Sequence, residues 1–167
     1  ALAQAYLLKG LVLTKMGDYN ASERFLKDAD KIYTKQNDEL NQANVILGFG
    51  LLELKKGNYT PAINYFEAAV PLFKDHDSPY QEATAYLNKA EALHYLNNAA
   101  NQNVLQQAKT ALANASEIID THNFNKLRIE SYRIASYLAM KSNQYSEAQH
   151  NIDLYERKSD SLYQVYL

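Results

Sequence analysis

Residues 17–29 read GDYNASERFLKDA, and forty positions later, at 57–69, the chain reads GNYTPAINYFEAA. This self-similarity constrains the fold more than any other property, because a unit recurring at a period of about 20–50 residues cannot bury its apolar face alone and must stack on its neighbours. The register extends along the whole chain. Tyr6, Ile46, Tyr86 and Tyr132 form one column, and Gly10, Gly50, Ala90 and Ser136 form a second that is always small. After each turn come the small residues Ser22, Ala62, Ala108 and Ala148, then the bulky residues Leu26, Phe66, Leu112 and Ile152. A further small column, Ala29, Ala69 and Ala115, ends at Tyr155. One step is longer than the others because extra residues enter the third unit in the stretch NNAANQNVLQQ.

Within each unit the apolar residues recur at spacings of three and four, as in Ile63, Phe66, Ala69, Val70 and Phe73, which is helical spacing with no alternation of the kind a strand needs. The spacing predicts helices near 2–16, 20–36, 39–56, 61–75, 79–97, 104–121, 124–142 and 147–166. Asn20 with Glu23, Ser78 with Pro79 and Gln81, and Ser146 with Gln149 read as helix starts, and Thr60 with Pro61 as another. Small columns facing each other let antiparallel backbones approach closely while the bulky column fills the adjacent groove. The expected architecture is a single all-α domain of four helix pairs, with units near 1–37, 38–77, 78–122 and 123–167. The opening ALAQAYLLKGLVL is already in helical rhythm with no capping residue ahead of it, so the sequence reads as part of a longer chain.

Composition narrows the function by exclusion. A net charge of −2 over 167 residues offers no broad basic field for nucleic acid, and the aromatic residues lack the basic groove that base stacking requires. The longest apolar run, 45–52, is far short of the roughly 20 residues needed to cross a bilayer, so direct membrane insertion is not expected. Cysteine is absent, and His76, His94, His122 and His150 lie far apart, so neither a metal site nor any other cofactor is expected. No nucleophile elbow or glycine-rich phosphate loop occurs, and the expectation is a non-catalytic chain.

The column set resembles the tetratricopeptide repeat family. The resemblance rests on Tyr6, Gly10, Gly17-Asp18-Tyr19, Ser22, Leu26 and Ala29, repeated as Ile46, Gly50, Gly57-Asn58-Tyr59, Ala62, Phe66 and Ala69, and more weakly as Tyr132, Ser136, Asn143-Gln144-Tyr145, Ala148 and Ile152. The third unit has lost its turn motif, the period exceeds the family's usual length of about 34 residues, and the family's proline closing the second helix has no counterpart. The resemblance implies a right-handed α-solenoid whose first helices line a concave groove that takes a peptide or protein segment. Counting outward from the buried columns, that groove would be lined by Gln4, Leu7 and Leu11; Asn44, Leu47, Leu51 and Leu54; Thr84, Leu87, Glu91, His94 and Tyr95; and Glu130, Arg133, Tyr137 and Met140. The Lys and Asn clamp of the co-chaperone subtype is not expected, since Leu7, Leu11, Gly48 and Leu51 occupy the matching positions.

The ending NIDLYERKSDSLYQVYL continues at three and four spacing through Ile152, Tyr155, Ser159, Leu162 and Tyr166. Its Asp160-Ser161-Leu162 element resembles the last repeat of tetratricopeptide sensor kinases and transcriptional regulators of Bacteroidetes-type bacteria. That resemblance implies a sensory or regulatory module with a coupling helix at Tyr155, Leu162 and Tyr166 able to pair two copies. It would be periplasmic in a membrane sensor kinase and cytoplasmic otherwise. A free-standing adaptor built from the same repeats is the alternative.

Overall fold

The computed structural model describes residues 1–96 and 102–164. Among these the chain forms eight helices: α1 Leu2–Met16, α2 Tyr19–Gln36, α3 Glu39–Lys56, α4 Tyr59–Asp75, α5 Pro79–Leu96, α6 Gln102–His122, α7 Asn125–Lys141 and α8 Tyr145–Gln164. Each odd helix packs against the even helix that follows it, and each even helix then packs on the next odd one. The odd helices also touch along the array, α1 to α3, α3 to α5 and α5 to α7, whereas among the described residues the even helices make no contact with one another. The first helices therefore form one continuous inner face, and the second helices fan out behind it.

The small columns set the separation within each pair. A Cβ added to Gly50 would lie 2.5 Å from Cε1 of Phe66, and one added to Gly10 would lie 2.9 Å from the Leu26 side chain. Leu26 and Phe66 are fully buried, as are Ala29, Ala69 and Ala115 of the third column. In the first pair the close approach has a polar fastening. The Ser22 hydroxyl donates to the Gly10 carbonyl at 2.8 Å and lies 2.7 Å from Thr14 Oγ1, which itself sits 3.1 Å from the same carbonyl. Burying these hydroxyls is tolerable because each has a partner.

Turns explain the compact stacking. Gly17 and Gly57 close α1 and α3 with φ of 84° and 82°, and Asn37, Asp77, Asn123 and Asn143 adopt the same left-handed conformation at the other described turns. Asn and Asp tolerate that region better than other side-chain-bearing residues, which is how two or three residues suffice to reverse the chain.

Several predicted helix starts are corrected. The Asp18 carboxylate caps α2 by accepting from Ala21 N at 3.1 Å, so the cap is Asp18 rather than Asn20. Asp38 does the same for α3 through Asn41 N. α4 starts after Asn58, placing Pro61 at its third residue rather than its first, and α8 starts at Tyr145, ahead of Ser146. Ser78 and Pro79 open α5 as expected. Pro71 stands inside α4 near its end. The described part of the extra stretch, from Gln102 on, extends α6 to 21 residues. Residues 97–101 and Tyr166 lie outside the described residues, and Leu162 falls on α8.

The contact between Gly50 and Phe66 gives an expected outcome. Gly50→Ala should lower stability by about 1–3 kcal/mol through overpacking, offset in part by a helix-propensity gain of about 1 kcal/mol. Adding Phe66→Leu should make the alanine less costly than it is alone, as read by urea denaturation of the four members of the cycle.

Candidate functional site

The inner face is built from five register positions that recur on α1, α3, α5 and α7. One position holds Leu7, Leu47, Leu87 and Arg133, and another holds Leu11, Leu51, Glu91 and Tyr137. Leu7, Leu47, Leu54 and Leu87 are buried, which corrects their expected role: they pack between helices and offer nothing to a ligand. Leu11 and Leu51 are half-buried and Gln4 is exposed. Asn44 and Thr84 direct their side chains into their own helices, Asn44 Nδ2 donating to the Leu40 carbonyl at 3.1 Å and Thr84 Oγ1 to the Tyr80 carbonyl at 2.7 Å.

The remaining predicted residues converge on the step from α5 to α7. The Arg133 guanidinium forms a bidentate pair with the Glu91 carboxylate at 3.1 and 3.3 Å, and its Nε donates to Glu130 at 2.9 Å. Burial works against the Arg133 charge, and the Glu91 carboxylate outweighs it, so its pKa is raised further. Arg133 also lies over the Tyr137 ring at 5.5 Å. His94 stacks on the other partner of this group, with 5.2 Å between its ring centroid and that of Tyr137, and meets Tyr95 edge-on at 5.0 Å. Tyr95 and Met140 stay open to solvent, 42% and 52% exposed.

Two members escaped the sequence reading. The Tyr59 ring stacks on Tyr95 with centroids 5.4 Å apart, and Lys141 Nζ donates to the His94 carbonyl. The turn tyrosines carried a usable signal: Tyr19 stands forty residues before Tyr59, and its hydroxyl reaches the Lys55 carbonyl at 3.0 Å, the register position that Tyr95 occupies one unit later. The imidazole Nδ1 of His94 is buried without a hydrogen-bond partner among the described residues. Burial first, and the Lys141 ammonium next, pull the His94 pKa below its ordinary value, with Glu91 opposing and Arg133 assisting. This cluster is polar and aromatic, joined by ring contacts and hydrogen bonds.

The opposite end of the inner face is apolar. An open depression of about 350 Å³ is lined by Leu8, Leu11, Val12, Thr14, Lys15, Leu51 and Lys55. Only Leu11 and Leu51 of these belonged to the expected groove. On α8, Tyr155 is half-buried. Among the described residues no group of three or more His, Cys, Asp or Glu side chains could hold a metal ion, and no helix is long and apolar enough to cross a membrane.

A tetratricopeptide repeat family model matches residues 1–75. Residues 1–75 are tetratricopeptide repeats. The helices from α5 onward continue the same columns, so among the described residues the array is an all-α, tetratricopeptide-like solenoid. No curated protein and no solved structure matches the chain significantly. Tetratricopeptide repeats are an interaction fold, generally non-catalytic, that binds protein or peptide partners.

The ion pair and the histidine each generate an expectation. Arg133 and Glu91 side chains are 24% and 12% exposed, so the pair is only partly shielded from water. Arg133→Leu alone strands the Glu91 carboxylate and should cost about 2 kcal/mol, whereas Arg133→Leu with Glu91→Leu, restoring the leucines found at those positions earlier in the array, should recover most of that loss in denaturant melts. For His94, the unfolded chain takes up its proton first as pH falls through about 6.5. Stability is then full above that pH and declines below it until the folded imidazole is itself protonated. His94→Phe should flatten this limb of a stability profile measured by thermal melts from pH 8 to pH 5.

Proposed function

We propose that the inner face of α1, α3, α5 and α7 binds an extended or helical protein segment, and that the chain serves as a non-catalytic interaction module. The observation that carries this reading is the pairing of open aromatic and apolar side chains, Tyr95 and Met140, with the interlocked polar group of Glu91, Arg133 and His94 on a face that successive first helices share. Side chains held in place by neighbours before the ligand arrives, as Tyr95 is by Tyr59 and His94, lower the ordering cost of binding. The apolar end near Leu11 and Leu51 suits a bulky aliphatic anchor, and the α5 to α7 end suits polar or charged groups, so the segment is held in one direction.

In its finer form, the module is the sensory or regulatory region of a bacterial signalling protein, and the C-terminal stretch carries the state of the groove to a second copy through Tyr155, Leu162 and Tyr166. Support for this form is the resemblance of the chain's ending and the stripe of Ile152, Tyr155 and Ser159 on α8. Such coupling requires the ligand to bind the two association states with different affinity. A free-standing adaptor needs only the groove.

Peptides selected from a displayed random library on the intact chain test both levels. Selected peptides should lose at least tenfold in affinity on Leu51→Glu and on Tyr95→Ala, with the helical circular dichroism spectrum unchanged. Peptides that bind the double variant as well as the parent would remove the inner face as the site. Sedimentation with and without a groove-binding peptide separates the two forms: a peptide-dependent change in association supports the sensory form, and none leaves the adaptor.

A further inference from the structure

The fifth register position of the inner face, after those of Gln4, Leu7, Leu11 and Thr14, holds Lys15, Lys55, Tyr95 and Lys141 on α1, α3, α5 and α7. All four are exposed, and Lys55 stays so although α1 flanks α3 on one side and α5 on the other. Cations thus stand in one row across the array, with the Tyr95 ring among them. Charge on this face runs against that of the chain, which is −2 overall. Over the five register positions the first helices carry the cations Lys15, Lys55, Arg133 and Lys141 against the carboxylates Glu91 and Glu130. Both carboxylates bond to Arg133 and are spent there.

Among the described residues neither Lys15 nor Lys55 forms an ion pair. Lys56, next in sequence, does so twice, with Glu53 at 2.8 Å and Glu23 at 3.5 Å. A lysine in the last turn of a helix opposes the helix dipole wherever on the circumference it stands. In α3 Lys56 already supplies that effect, so the dipole does not account for a second lysine on the inner face. Lys15 and Lys55 instead border the depression at Leu11 and Leu51, which stand about one helical turn before them on the same two helices. Its floor is apolar and its rim cationic. A segment laid over these ammonium groups displaces their water, and a carboxylate is the group that best replaces it. Glu91 and Glu130 on the same face disfavour the continuous phosphates of a nucleic acid.

We propose, resting on the use of the inner face as a binding surface, that the segment it takes is acidic: an extended stretch with an aliphatic side chain against Leu11 and Leu51 and with Asp or Glu carboxylates over Lys15, Lys55 and Lys141. Packed helices lie about 8–10 Å apart and an extended chain advances about 3.3 Å per residue. Carboxylates over adjacent lysines are therefore about two or three residues apart, and the row from Lys15 to Lys141 spans about eight residues of ligand.

Peptides of about ten residues, selected from a displayed random library on the intact chain, test this. Loss of affinity on Tyr95→Ala, a change without charge, identifies the inner-face binders. Among them Asp and Glu should outnumber Lys and Arg by about threefold or more relative to the unselected library, and affinity should fall about tenfold or more on Lys15→Glu with Lys55→Glu. Lys31→Glu with Lys35→Glu on the outer helix α2 changes net charge equally and should alter affinity by less than about twofold at physiological salt. All four lysines are exposed, so melting temperatures should hold within about 3 °C of the parent. If the inner-face reversal melts lower, Lys15→Gln with Lys55→Gln takes its place, with an expected loss of about threefold. Inner-face binders without an acidic excess, or with affinity indifferent to the Lys15 and Lys55 changes, overturn the acidic segment and leave the groove standing. If no selected peptide responds to Tyr95→Ala, the inner face itself falls as the site, and this inference with it. Tighter binding of an oligothymidine of about ten nucleotides than of the selected peptides, lost on the same reversal, would replace the carboxylates by a phosphate backbone.

Discussion

The near-contact of Phe66 with the missing Cβ of Gly50 governs the rest of the architecture. Helices that approach this closely lock their ridges together, and the bulky residue of one helix must then fill the space beside the small residue of the other. Once that separation is fixed in each pair, turns of two or three residues at Gly17, Asn37, Gly57 and Asp77 deliver the next helix in the same relation, and the array propagates. Among the described residues the second helices do not meet, so the first helices gather on one side and leave a shared surface. The shared surface is thus a by-product of a packing rule.

Much of this was legible in the sequence because close packing leaves a periodic mark. A position that must be small in every unit is small at 10, 50, 90 and 136, and no ligand or partner is needed to explain it. Helix caps were less legible. Asp18 and Asn20 are both good capping residues two positions apart, and only the geometry of the turn after Gly17 decides that Asp18 accepts the bond. Burial at the edge of the inner face was misjudged for Leu7, Leu47, Leu54 and Leu87, since successive first helices pack on one another, a contact between units that sequence spacing does not encode. The bond between Glu91 and Arg133 joins residues that no local pattern links. It becomes visible only when the register aligns Arg133 with three leucines.

That alignment gives the inner face its gradient. The first three units keep leucine at the position where the fourth places a guanidinium, and the leucine ahead of it on the previous helix gives way to a carboxylate. Around this exchange the aromatic residues reorganise, with His94 enclosed between Tyr95 and Tyr137 and Tyr59 reaching across from the preceding unit. An apolar seam has become a polar one without any change in backbone architecture. Specificity in a repeat array can arise this way, by altering one seam and leaving the scaffold alone.

A stacked array behaves as a one-dimensional chain of links, and its weakest link decides which partly folded species is populated. Here the link into α7 adds a charge pair and a buried serine, Ser131, to the apolar contacts of Leu127, Ile134 and Leu138. Opening that link would part Glu91 from Arg133 and His94 from Tyr137, dismantling the polar end of the inner face while the first three units stay intact. Docking of the last unit and assembly of that end are therefore one equilibrium. A segment bound across it would act as a clasp, holding the array closed with whatever free energy its binding supplies.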